Sequence, residues 1–223
     1  WKQLLLALYL NLQKWDKAAP LVAAQVRDTP GDKNAWQQLA AMYSQQQQYD
    51  RALVVSELVE HAGLNTERDE VLRLVDQMLY NKIPYRAATF LGAAMEQKRV
   101  PADAATWQKL GTAWLAAREY GKAIDPLQKA FDLSGDANIA VRIGEVEMQR
   151  GEWAAAATAT QRALTKGGLK NPGAAALNLG VAYYNQNKFS EARGAFQQAA
   201  QSPEQRQYAT SYLAAIAARE GKQ

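Results

Sequence analysis

No cysteine occurs in the 223 residues, and histidine occurs once, at His61. The first absence excludes disulfides, a cysteine nucleophile and thiolate metal sites. The second excludes multi-histidine metal sites and leaves little room for a Ser-His-Asp device. A cysteine-free chain suits an oxidising compartment, although many cytosolic chains share the trait. Proline (7) and glycine (14) are too few for a fibrous or low-complexity chain. The longest apolar run, residues 4–10, falls far short of the roughly 20 residues that span a bilayer. No signal-peptide pattern is visible, and the chain starts at Trp1, already inside a helical pattern. That start reads as a fragment of a longer protein.

Charge of either sign is scarce in clusters. The 26 basic and 22 acidic residues give a net charge of +4. Residues 1–66 hold 6 of each and residues 67–136 hold 10 of each, so the surplus lies in residues 137–223. Spread that thinly, it is a weak footprint for nucleic acid, and no nucleic-acid partner is expected. A hydrophobic share of 48% with 22% charged residues is a globular composition.

What the chain does have is a period. An aromatic followed three residues later by alanine recurs at Trp15/Ala18, Tyr49/Ala52, Tyr85/Ala88, Tyr120/Ala123, Trp153/Ala156 and Phe189/Ala192. Successive aromatics lie 34, 36, 35, 33 and 36 residues apart. Upstream stand Trp36-x-x-Leu39-Ala40-x-x-Tyr43 and Trp107-x-x-Leu110-Gly111-x-x-Trp114, with reduced copies at Ile143-Gly144 and Ala176-x-x-Leu179-Gly180-x-x-Tyr183. Leu5-Leu6-x-x-Tyr9 is a truncated first copy. These are amphipathic-helix spacings.

The chain resembles the tetratricopeptide repeat, a 34-residue helix-turn-helix unit, over nearly its whole length. The resemblance implies an all-α, right-handed α-solenoid: one domain of about six helix pairs at 1–32, 33–66, 67–102, 103–136, 137–172 and 173–206. A capping helix is expected at 207–220. Small residues at Ala40, Gly111, Gly144 and Gly180, and at Ala52, Ala123, Ala156 and Ala192, let each pair approach closely. Stacking then buries an apolar face that one pair cannot bury alone. Turns fall at Thr29-Pro30-Gly31-Asp32, Val100-Pro101-Ala102-Asp103, Ser134-Gly135-Asp136 and Asn171-Pro172-Gly173, whose polar residues can cap the next helix.

The third unit departs from the pattern. Keeping the phase of Tyr85 would place Asp76 at the tight contact. A shift by one gives Val71, Leu74, Val75 and Met78 a common apolar face. The shift implies one extra residue in the turn Asn81-Lys82-Ile83-Pro84, either bending the stack or drifting harmlessly.

No catalytic constellation emerges, and neither enzyme activity nor a cofactor or metal is expected. The tryptophans at 15, 36, 107, 114 and 153 occupy packing positions. His61 sits at a helix C-terminus, where a cation is favoured. Lys166-Gly167-Gly168-Leu169-Lys170-Asn171-Pro172-Gly173 lacks the strand and the Gly-Lys-Ser/Thr ending of a P-loop and reads as an inter-repeat turn. Neighbouring carboxylates such as Glu145/Glu147 do not share a helix face.

What remains is a groove. The first helices of the pairs should line a concave side, and residues there that packing does not need are free to bind. They are Asn34, Gln37, Gln38, Ser44, Gln45, Arg73, Tyr80, Gln108, Lys109, Thr112, Asn138, Arg142, Glu145, Gln149, Asn178, Tyr184 and Asn185. Amides and hydroxyls suit the donors and acceptors of an extended peptide backbone. The expected function is therefore a protein-interaction scaffold for an extended peptide or partner helix. Chaperone-binding repeats carry a carboxylate clamp with asparagine at the ninth position. Here Ala7, Ala41, Thr112, Glu145 and Val181 stand there, with Asp76 or Gln77 in the third unit. Capture of a chaperone tail is not expected.

A narrower resemblance runs from Pro84-Tyr85-Arg86-Ala87-Ala88 through Arg150-Gly151-Glu152-Trp153 to the 166–173 string. It is to periplasmic repeat proteins that accompany TonB–ExbB–ExbD systems of Gram-negative bacteria. It implies a periplasmic accessory of TonB-dependent uptake, with TonB, ExbB or ExbD as partners. Cytoplasmic residence is the alternative location. Two other functional readings stay open: a self-assembling envelope component, from the apolar edge Trp1, Leu4, Leu5 and Leu8, and a glycan- or nucleic-acid-binding solenoid, from the basic last part.

Overall fold

A computed structural model describes residues 1–220. Among the described residues there are thirteen helices and no strand. The chain divides into two compact units, Trp1–Pro101 and the part from Ala102 on. The first unit holds three helix pairs: α1 (Lys2–Asn11) with α2 (Trp15–Asp28), α3 (Lys33–Gln45) with α4 (Tyr49–His61), and α5 (Arg68–Tyr80) with α6 (Pro84–Glu96). The second holds α7 (Ala104–Ala116) with α8 (Tyr120–Ser134), α9 (Ala137–Gln149) with α10 (Trp153–Lys166), and α11 (Pro172–Asn185) with α12 (Phe189–Ala199). A final helix, α13 (Arg206–Glu220), packs on α12.

Turns within pairs differ from links between pairs in length and in how the next helix is capped, although the links after α4 and α6 also open on a positive-φ residue, Gly63 and Lys98. Within every pair the turn has one geometry. Its middle residue takes positive φ: Gln13, Gln47, Lys82, Arg118, Gly151 and Asn187. The N–H of the next residue donates five residues back, as in Lys14 to Tyr9, Gln48 to Tyr43, Ile83 to Met78, Glu119 to Trp114, Glu152 to Glu147 and Lys188 to Tyr183. That is the Schellman ending, which satisfies the last carbonyls of the first helix. Links between pairs vary in length, and there side chains cap the incoming helix. Asp32 accepts from the N–H groups of Asn34 and Ala35, Asp103 from Thr106, Asp136 from Asn138 and Asn171 from Ala174. Glu67 and Glu70 form a capping box on α5.

The third pair corrects one expectation. Val71, Leu74, Val75 and Met78 are the buried residues of α5, as the shifted phase requires. The turn at 81–83, however, is no longer than the others. Pro84 rather than Tyr85 starts α6, because a proline suits the first helical position. Tyr85 therefore stands one place into the helix and is half exposed. Both Ala87 and Ala88 are buried behind it.

Close approach depends on missing side chains. A Cβ on Gly111 would lie 2.7 Å from Leu127 Cγ, and one on Gly180 would lie 2.5 Å from Phe196 Cε1. A Cβ on Gly144 would lie 2.2 Å from Thr160 Oγ1. Thr160 is fully buried, and its hydroxyl has no hydrogen-bond partner among the described residues. Gly144→Ala is thus expected to destabilise by about 1–3 kcal/mol. Thr160→Ala should restore most of that loss in the double variant, because it removes both the clashing oxygen and an unpaired hydroxyl. Urea unfolding of the four proteins checks this; equal losses in both Gly144→Ala backgrounds would refute it.

Candidate functional site

In the second unit, the first helices of successive pairs leave an open groove of about 570 Å³. Its apolar floor is Leu115 and Ala116 from α7, Tyr120 from α8, and Val146 and Met148 from α9. Polar side chains stand around it: Thr112, Arg142, Glu145, Gln149 and Asn178. Helical spacing explains the set, since Arg142, Glu145 and Gln149 recur every three or four residues and so share a face. Arg142 Nη1 donates to Glu145 Oε2 at 3.2 Å, across one turn of α9. Behind them Glu147 is buried and accepts from Arg150 at 2.6 Å.

The first unit has a smaller groove of about 190 Å³, which Gln37, Ser44 and Arg73 line together with Glu70. Much of its polarity is already used. Glu70 accepts from Lys33 Nζ at 2.5 Å, from Gln37 Nε2 at 3.0 Å, and from the N–H groups of Thr66 and Glu67. Burial, the largest single influence, raises its carboxyl pKa, but Lys33 and the N–H groups of Glu67 and Thr66 together hold it below the ordinary range.

Eight of the sequence-derived candidates therefore line grooves within a unit: Thr112, Arg142, Glu145, Gln149 and Asn178 in one, Gln37, Ser44 and Arg73 in the other. Others go elsewhere. Asn34, Gln38, Gln45 and Gln108 are exposed but line neither groove. Tyr80 meets Tyr49 edge-on, with ring centroids 4.7 Å apart, and its hydroxyl pushes the Tyr49 pKa up. Asn138 holds the 166–173 turn. Its Oδ1 accepts from the Lys170 N–H at 3.1 Å, and its Nδ2 donates to Asp136 at 2.8 Å. That bond, with the Asn138 N–H, holds the Asp136 carboxyl below its ordinary range. Tyr184 packs against Phe189 and Tyr212, each at 5.5 Å, under the Arg219 guanidinium. Asn185 Nδ2 donates to the Val181 carbonyl of its own helix.

The floor residues Leu115, Ala116, Val146 and Met148 were not among the candidates. Their signal was present, because each lies three or four residues from a candidate on the same helix.

Three comparisons bear on this arrangement. Residues 141–211, under half of the chain, match the tetratricopeptide repeat family. No curated protein sequence matches. Among solved structures, YrrB, titled a TPR protein with an unusual peptide-binding site, superposes with a TM-score of 0.61 at 17% identity, over 87% of this chain and 98% of its own. The fold is a tetratricopeptide-repeat fold. MamA shares it with a TM-score of 0.58 at 23% identity, over 75% of this chain and 90% of its own. So does a chain of the APC/C hetero-tetramer Cut9–Hcn1, with a TM-score of 0.51 at 16% identity, over 93% of this chain and 41% of that one. Within this tetratricopeptide-repeat fold, no described helix is long and apolar enough to cross a membrane.

Proposed function

We propose that this chain is a non-enzymatic interaction module that holds an extended segment of a partner protein along the groove of α7, α9 and α11. The observation that carries this is the groove itself: an apolar floor ringed by amide, hydroxyl and paired charged groups on the first helices of successive pairs. Such a lining offers burial to side chains and hydrogen bonds to a backbone. A peptide-binding site named for YrrB, and the hetero-tetramer named for Cut9–Hcn1, support the reading by analogy of fold.

Peptide display against the purified chain tests it. Selected peptides are expected to lose at least tenfold in affinity, about 1.4 kcal/mol, when Arg142→Glu and Asn178→Ala are combined. Fluorescence anisotropy reads the affinity, and circular dichroism checks that the fold persists. Peptides that bind the variant as well as the parent would remove the groove from consideration.

The resemblance running from Pro84 to Gly173 supports a finer reading: a periplasmic accessory whose partner belongs to a TonB–ExbB–ExbD system. Binding of purified periplasmic segments of TonB and ExbD checks it, and no binding at 100 µM of either (roughly a −5.5 kcal/mol limit) would end it.

A further inference from the structure

The groove of the second unit is selective in a way its charges and free amides define. Its cation, Arg142, is already engaged by Glu145 at 3.2 Å, so the pair offers no net counter-charge. The carboxylate behind it, Glu147, is likewise engaged by Arg150. A chain-terminal carboxylate or ammonium placed beside this balanced, half-exposed pair meets attraction from one partner and repulsion from the other, so its charge gains little over an uncharged stretch. The amides differ from one another. Asn138 uses both its Oδ1 and its Nδ2 on the protein's own turn and cap, and Asn185 donates its Nδ2 to its own helix. Gln149 and Asn178, which line the groove, make no such bond among the described residues. Each can donate to a carbonyl and accept from an N–H, the two groups that every residue in mid-chain presents. Beneath them Leu115, Val146 and Met148 form the aliphatic part of the floor beside the Tyr120 ring, and the thioether can adapt to an unbranched or branched apolar side chain.

We infer that the groove takes an uncharged stretch from the interior of a partner chain, anchored by one aliphatic side chain of leucine or methionine size, and not a chain end. This rests on the groove reading above and specifies its ligand. Five pools of nine-residue peptides test it, identical except for leucine, methionine, phenylalanine, aspartate or lysine at the centre. Each is made with both ends blocked and again with a free C-terminal carboxylate. Binding is measured by anisotropy on the full chain and on the variants Gln149→Ala and Asn178→Ala. The blocked leucine or methionine pool is expected to bind within twofold of its free-acid form, at least tenfold tighter than the aspartate and lysine pools, and at least threefold weaker to each variant. A tenfold loss on blocking the carboxylate, or preference for a charged centre, overturns the ligand class while leaving the groove occupied. Binding that neither variant alters, or no binding by any pool, overturns the groove reading along with it.

Discussion

Phe196→Ala is expected to destabilise the second unit by about 3–5 kcal/mol. The ring is fully buried and stacks on Tyr212, with centroids 4.6 Å apart and planes 8° from parallel. Its edge lies against Gly180, where even a methyl group would stand 2.5 Å from Cε1. Removing the ring leaves a void facing a residue with no side chain to fill it, between α11 and α12 and beside α13. The converse change, Gly180→Ala, should cost about 1–3 kcal/mol by forcing a rigid ring to move. In the double variant Gly180→Ala/Phe196→Leu part of that cost should return, since leucine withdraws the clashing ring atoms. Such neighbours do not add independently. Urea unfolding followed by circular dichroism measures all three. A loss below about 1 kcal/mol for Phe196→Ala would show that the ring is not packed as described.

The second large effect is expected in the first unit, at Arg99. Its guanidinium meets Glu60 through two parallel bonds, Nη1 to Oε1 at 2.5 Å and Nη2 to Oε2 at 2.9 Å. It also donates to the Asn65 carbonyl at 3.1 Å, while Asn65 Nδ2 donates to Glu60 at 3.1 Å. One side chain thereby ties the end of α4, the link at 62–67 and the residues after α6. Bidentate charged bonds that are partly shielded from water are stronger than exposed ion pairs. Arg99→Ala should cost about 1.5–3 kcal/mol at neutral pH.

Acid separates this effect from simple loss of packing. The hydrogen bond from Arg99 is the main reason the Glu60 carboxyl titrates below its ordinary value of 4.5, against the opposing effect of burial. A carboxyl depressed in the folded state contributes stability above its unfolded pKa, and that contribution fades as pH falls through the lower folded value. The difference between the parent and Arg99→Ala should therefore be full at pH 7 and shrink below about pH 4.5. Glu70 and Asp136 also titrate low, but both proteins carry them, so their contribution cancels. A difference that stays constant from pH 7 to pH 3 would assign the cost to lost packing of the arginine stem.

How far these features could be read in advance depended on how local their causes are. The aromatic at each second-helix start and the alanine three residues on were legible because helical geometry alone sets that spacing. Gly111, Gly144 and Gly180 were legible as tight contacts because only a small residue permits them. The third pair misled at one point. Tyr85 matched the aromatic pattern, yet Pro84 begins the helix, and the Ile83-to-Met78 bond shows the turn to be ordinary. An aromatic is a replaceable packing element at that place, whereas the backbone bond is not.

The groove was legible only in part, for a related reason. Phase along a helix tells which residues face the same way, and it found Thr112, Arg142, Glu145, Gln149 and Asn178. It could not tell that Asn138 would be used by the turn beginning at Gly167, or that Tyr184 would be covered by Tyr212 of α13. Those contacts join residues about 30 apart in the chain, so no window of sequence contains both partners.

Helix pairing, its period and its close contacts were settled by the order of residues, because each depends on neighbours within one or two turns. Which polar groups remain unused was settled only by packing between pairs, because links of unequal length decide which side chains meet across them. A hydrogen bond already made within the protein uses part of what that group can offer a partner, and only the folded chain reveals which bonds are made.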